Sequence, residues 1–270
     1  MDLILITSNP DVAKYAEECH INTIMVDLEI IGKKERQGHL STVISEHSLD
    51  DVSKIRNVIS KSNLLVRANP IHENSKFEID KIIECGADIV MLPMFTSAQE
   101  VKTFISYING RARINLLLET PQALVRIDEI LSIKGIDEIH IGLNDLHLSM
   151  GLIFMFELLS SGIVEYLSKK INSASIKFGF GGIARLGQGT LDSSLILSEH
   201  HRLNSKMVIL SRDFHGNYDN LVELRNALNL EIEVRKINQY LNKLNSFSDY
   251  QLNINQRYLK EKVNEIIRRL

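Results

Sequence analysis

Cysteine is scarce in this 270-residue chain, with Cys19 and Cys85 as its only examples. They match no close metal-ligand spacing and are too few for a disulfide framework, so free thiols in a reducing compartment are the simpler reading. No charge of one sign dominates: 31 Lys and Arg against 34 Asp and Glu leave a net charge of −3. No global field therefore favours nucleic acid or an anionic membrane. No apolar run approaches the ~20 residues that span a bilayer. The first apolar run stops at Thr7 and follows acidic Asp2 rather than a basic segment, unlike a secretory leader. Proline is absent after Pro121 and glycine after Gly216, which allows an almost wholly helical tail. No internal repeat or low-complexity tract is present. Together these absences predict a soluble, cytoplasmic protein with neither a nucleic-acid nor a membrane partner.

What is present is ordinary globular material, 44% apolar and 24% charged, enough for a large core. Short β-branched runs alternate with longer amphipathic stretches, the signature of βα units around a parallel sheet. Strands are predicted at Leu3–Thr7, Thr23–Glu29, Leu64–Ala68, Asp88–Pro93, Ile114–Glu119, Glu138–Gly142, Lys177–Gly181 and Met207–Ser211. Eight such runs predict a (β/α)8 TIM barrel rather than an open doubly wound sheet. Helical spacing appears over Ser75–Cys85 and Gln122–Leu131, and Ser97 and Thr120 are suited to capping the helices after strands four and five. The barrel core is expected over residues 1–216, with a C-terminal helical extension over 217–270. Within that extension Ile254, Tyr258, Leu259, Val263, Ile266, Ile267 and Leu270 form an apolar stripe, to be covered by the barrel wall or another subunit. The connection from Glu29 to Asp50 is long and polar, and long barrel loops are more often functional than decorative.

Active sites of TIM barrels lie where strands end, and here those ends are polar. Asp27 and Glu29 end strand two, Arg67 and Asn69 strand three, and Glu119 strand five; Asn144 and Asp145 follow strand six. Burying an unpaired charge costs several kcal/mol, about 2–7 depending on reference state. Convergence from independent strands therefore points to function, with a simple Glu119–Arg67 ion pair as the bland alternative. Glu119 and Asp145, with no His or Cys beside them, suit a hard divalent cation, Mg²⁺ first, with Mn²⁺ or Co²⁺ also fitting oxygen donors.

The segments VDLE (Val26–Glu29), VRAN (Val66–Asn69), GADIVMLPM (Gly86–Met94), LLLET (Leu116–Thr120) and IGLNDLHLSMG (Ile141–Gly151) together resemble the HpcH/HpaI aldolase and citrate lyase family. The resemblance covers about Met1 to Ser211. It implies a divalent metal held by Glu119 and Asp145, with Arg67 contacting the carbonyl oxygen of a 2-oxo acid. It also implies a carbon–carbon lyase working through a pyruvate-type enolate, or the synthetic reverse. The alternatives are a related barrel acting on phosphoenolpyruvate or an acyl-CoA thioester, and a non-catalytic assembly barrel. Family barrels commonly exchange C-terminal helices, so the resemblance also implies a homo-oligomer formed through the tail.

The sequence departs from the family at two places. Ile30 replaces the histidine that follows the strand-two glutamate and assists proton transfer in the pyruvate aldolases, and Leu143 replaces a customary proline. His39, in the loop GKKERQGH, is a candidate substitute base, although a loop histidine is more often solvated surface; His47 is a weaker candidate. Lys33, with Lys34 and Arg36, is placed to recruit the far end of an anionic substrate, unless it is simply solvated. Asp27 and Glu29 are expected to orient metal-bound water or the loop. The stretch Gly179–Gly189 holds five of the 14 glycines. Gly181 and Gly182, with Arg185 and Arg212, are candidates for binding substrate anions through approachable backbone amides. The bland reading is a tight turn needing positive φ.

Overall fold

The structure of the chain, a computed structural model, describes residues 1–32, 47–216, 218 and 220–270. Its strands are β1 (Asp2–Ile6), β2 (Thr23–Asp27), β3 (Asn63–Arg67), β4 (Ile89–Leu92), β5 (Arg113–Leu118), β6 (Glu138–Ile141), β7 (Lys177–Ile183) and β8 (Met207–Leu210). Each pairs in parallel with its sequence neighbours, and β8 returns to β1, so the sheet closes into a (β/α)8 barrel. Closure buries both faces of every strand, which is why these runs are nearly continuous in Ile, Leu, Val and Met.

Alternation along the strands sorts side chains between two apolar compartments. One lies between the sheet and the surrounding helices. The other fills the barrel interior with Ile4, Met25, Leu65, Ile89, Met91, Leu117 and Met207. Below it a polar floor closes the barrel: Lys177 Nζ lies 2.7 Å from Asp2 and 2.9 Å from Glu138. Arg113 and Asn115 join that floor by donating to Asn63 (2.8 Å) and Glu138 (3.1 Å). Two residues above Met25, Leu65 and Leu117 on the same inward parity stand Asp27, Arg67 and Glu119. The strand period alone thus delivers these three groups to the barrel mouth.

The first helices are α1 (Pro10–Glu18), α2 (Leu49–Val58), α3 (Ser75–Glu84) and α4 (Ala98–Ile108). Ser97 caps α4 in a capping box with Glu100, as its sequence position predicts. After β5 the expected single helix is two, α5 (Pro121–Val125) and α6 (Ile127–Leu131), broken at Arg126. Thr120 caps α5 by accepting from the Ala123 amide at 3.1 Å. Then come α7 (Leu143–Ser149), α8 (Glu157–Ser160), α9 (Ile163–Ser173), α10 (Ser193–Arg202) and α11 (Arg212–His215).

Beyond the barrel, α12 (Leu221–Ala227), α13 (Leu230–Leu244) and α14 (Asp249–Ile267) form the tail. The predicted stripe divides on α14. Leu259 and Val263, with Leu252, are buried against α8 and α10, whereas Ile254 and Tyr258 remain 45% and 48% exposed. Asn255 donates to Ser198 at 2.9 Å and Gln256 to Glu165 at 3.1 Å, fixing the helix to the barrel wall. Among the described residues no helix is long and apolar enough to cross a membrane.

Candidate active site

In the parallel ladder Asp27 on β2 stands in register with Arg67 on β3. The guanidinium donates through Nε to one Asp27 oxygen (2.8 Å) and through Nη2 to the other (2.6 Å). Its Nη1 lies 3.2 Å from Glu29. Both carboxylates are almost fully buried and the Arg67 side chain is 14% exposed. Burial opposes the Arg67 charge, but Asp27, then Glu29 and Glu119, outweigh it and raise the pKa above its ordinary value. A planar fork suits this double engagement better than an ammonium. Nε and Nη2 each donate to Asp27, and the Nη1 edge faces Glu29.

Glu119 follows the last residue of β5 and is 2% exposed. One oxygen accepts the Met94 amide at 3.1 Å. Met94 holds a left-handed φ of 53°, uncommon for a residue with a side chain. On the other side, a Cβ at Gly142 would come within 2.8 Å of the second Glu119 oxygen, so only glycine leaves room for the carboxylate. Asp145 sits in the first turn of α7, 7% exposed. Burial pushes the Glu119 carboxyl well above the usual carboxylate range; Arg67 opposes this, while Asp145 and Glu29 reinforce it. Glu119 thus faces two other buried carboxylates, Asp145 and Glu29, as well as Arg67.

These features fit a hard divalent cation held by Glu119 and Asp145, with its remaining positions left to water and substrate. Among the described residues no three His, Cys, Asp or Glu side chains converge as a complete cage, and Glu119 and Asp145 are the two carboxylates that these residues would offer a cation.

Arg67, Asp27, Glu29, Glu119 and Asp145 thus come together at one mouth. The bland alternative of a direct Arg67–Glu119 bridge gives way to Arg67 gripped by the strand-two acids. Lys33 and His39 lie outside the described residues. Gly181 and Gly182 fall inside β7, which runs on to Ile183 through an irregularity between Gly179 and Gly182. Packing accounts for both glycines. Gly181 has φ of 51° and Leu143 occupies the space a Cβ would take, and Gly182 approaches the Ile209 carbonyl. Leu143, in place of the customary proline, is therefore buried filler over β7. Arg185 follows β7, half-buried, with its Nε lacking a hydrogen-bond partner among the described residues. Arg212 opens α11 and is exposed.

Three contributors carry no strong sequence signal. The ring of His47 accepts the Asp27 amide at 3.0 Å through Nδ1. The Met94 amide serves Glu119. Asn69 ties the β2 exit to β3, and its place in VRAN at the polar end of strand three gave no sign of that role. His140 on β6 is buried: burial lowers its pKa to about 4, and Nε2 lies 3.0 Å from the Gly181 carbonyl.

Comparison with known proteins follows the same outline. Residues 3–156 match the family profile described as HpcH/HpaI aldolase/citrate lyase. A curated hydroxypyruvate/pyruvate aldolase from Rhizorhabdus wittichii is 27% identical over 147 residues, covering 42% of this chain and 59% of that protein. The chain thus spans less than two thirds of that relative's length. Among solved structures, an HpcH/HpaI aldolase from Desulfitobacterium hafniense superposes with a TM-score of 0.61 at 16% identity, covering 78% of this chain and 85% of the other. An HpcH/HpaI aldolase/citrate lyase family protein from Burkholderia cenocepacia gives 0.62 at 12% identity, covering 90% and 94%. At such identities these two structures speak for the fold alone.

Proposed function

Because the chain belongs to the HpcH/HpaI aldolase/citrate lyase family, we propose that it is a divalent-metal-dependent carbon–carbon lyase acting on a 2-oxo acid through a pyruvate-type enolate. The observation that carries this reading is the pairing of a charged, carboxylate-gripped Arg67 with the buried acids Glu119 and Asp145 at one barrel mouth. Glu119 and Asp145 hold the cation, which supplies Lewis acidity to the substrate carbonyl when bound. Asp27 and Glu29 hold the guanidinium, and its Nη edge is turned to the substrate oxygen. In cleavage, the bond between the methylene carbon next to the carbonyl and the hydroxyl-bearing carbon breaks. Its electron pair becomes the new carbon–carbon double bond, the carbonyl π pair moves onto the carbonyl oxygen, and the hydroxyl proton passes to water as the departing carbon becomes an aldehyde or ketone. The former carbonyl oxygen gains its charge in the transition state, where a preoriented N–H donor is most effective. Met94 and Gly142 keep the Glu119 carboxylate in place throughout.

The same reading places the enzyme in the cytoplasm, on a small-molecule substrate, and as a homo-oligomer formed through the outer face of α14. Exchange of pyruvate methyl protons into D2O, followed by NMR with Mg²⁺, Mn²⁺ or Co²⁺, tests the activity. Metal-dependent exchange lost in E119Q and D145N is expected. Absence of exchange with all three metals would overturn it. Parallel binding measurements with phosphoenolpyruvate and an acyl-CoA separate the neighbouring chemistries.

A further inference from the structure

The last ladder pair between β2 and β3 is Asp27 with Arg67, and the Leu28 amide donating to the Arg67 carbonyl at 3.0 Å is the final rung beyond it. Glu29 therefore stands where the sheet no longer dictates the backbone, at the start of the long connection to α2. Its amide donates to Asp27 at 3.2 Å, and Asn69 takes over from there. The Asn69 side-chain oxygen accepts the amides of Ile30 (2.9 Å) and Ile31 (3.0 Å), and its nitrogen donates to the Leu28 carbonyl (3.4 Å). One carboxamide thus grips the backbone on both sides of Glu29. Two N–H donors at one end, with a carbonyl and a carboxylate at the other, fix which end is oxygen.

Asn69 is itself anchored. Glu78, in the first turn of α3, accepts both the Asn69 amide (3.0 Å) and its side-chain nitrogen (2.8 Å) through one oxygen. The other oxygen lies 2.8 Å from His72 Nε2, while His72 Nδ1 accepts the Asn74 amide. The clasp runs from α3 through Asn69 to the β2 exit and ends on the carboxylate that meets the Nη1 edge of Arg67.

We infer that Asn69, anchored by Glu78, is a positioning residue: it holds Glu29 against Arg67 and so sets the direction of the guanidinium toward the substrate oxygen. This rests on the reading of Arg67 given above. Without the clasp, the backbone around Glu29 loses its hydrogen bonds to the Asn69 carboxamide, and the Glu29 carboxylate shifts relative to the Nη1 edge of Arg67.

The test combines pyruvate proton exchange with the 15N-edited signal of Arg67 Nε–H in the full chain, for wild type, N69A, E78A and N69A/E78A. N69A is expected to shift or broaden the Arg67 signal and lower turnover roughly 10- to 100-fold, with KM for pyruvate changed less than about 3-fold. E78A gives a smaller loss. The double variant matches N69A, because Glu78 acts through Asn69. An unmoved Arg67 signal in N69A, unchanged turnover, or losses that simply add would overturn the inference. Should wild type fail to exchange pyruvate protons, the activity reading falls while the Arg67 signal still decides the clasp. If N69A does not fold, Asn69→Ser, which retains an acceptor at that position, carries the same comparison.

Discussion

Among the described residues, Arg67 is the cation paired with Asp27 and Glu29, two carboxylates that are 3% and 2% exposed at the side chain. Removing it takes the guanidinium away from both. Arg67→Met is expected to destabilise the fold by about 3–5 kcal/mol, as for other buried pairs that lose one partner; urea unfolding checks this. Glu119 behaves in the opposite sense. Burial first, then Asp145 and Glu29, raise its carboxyl well above the ordinary range. The folded chain therefore keeps a proton that the unfolded chain releases above about pH 4.3. The contribution of this group to stability then declines as pH rises through the window above that value. E119Q should melt at or above wild type in metal-free buffer at pH 8. Mg²⁺ should raise the Tm of wild type and leave that of E119Q in place. A wild-type Tm indifferent to both pH and Mg²⁺ contradicts this account. The identities of these acids were legible because charges at strand ends have no packing use, whereas their partners depend on which strands become neighbours.

Individual elements are joined by carboxylates that clasp backbone. Glu17 at the end of α1 accepts three consecutive amides, Ser60 (2.8 Å), Lys61 (2.5 Å) and Ser62 (2.7 Å), where α2 gives way to β3. Burial would raise its pKa, but these amides more than offset that and hold it below the usual value. Stability from this bond set is fully present above about pH 4.3 and is lost as pH falls through the lower, folded pKa. E17A is expected to cost about 1–3 kcal/mol at pH 7, and the gap to wild type should narrow in melts below pH 4. Glu165 on α9 joins the tail through side chains instead. Lys169 foremost, against some burial, and then Arg202 draw its pKa down to about 2, and it also receives Gln256 from α14. Strand positions were legible from period and β-branching. The break between α5 and α6 was not, because Leu124, Ile127 and Ile130 keep one helical spacing across it.

For the whole molecule, the outer side of α14 is a face that the barrel leaves uncovered. Tyr250, Ile254 and Tyr258 recur every fourth residue and are 72%, 45% and 48% exposed, so they form one stripe. As the proposed contact between subunits, it predicts that I254E/Y258E lowers the molar mass measured by light scattering while the Tm stays close to wild type. Truncation after Ser246 is a poorer probe, because it would also uncover the wall that Leu252, Leu259 and Val263 seal.

The amino-acid sequence by itself determined the eightfold alternation, the inward parity of Asp27, Arg67 and Glu119, and the family motifs. All of these are local, being set by a two-residue strand period and by short runs of residues. Only the tertiary structure decided that Arg67 belongs to Asp27 and Glu29 rather than to Glu119, that Gly181 makes room for Leu143, and that Asn69 reaches back across to Ile30 and Ile31. Each of those contacts joins residues tens of positions apart. Closure of the sheet fixes which strand ends become neighbours, and no spacing along a single segment encodes it.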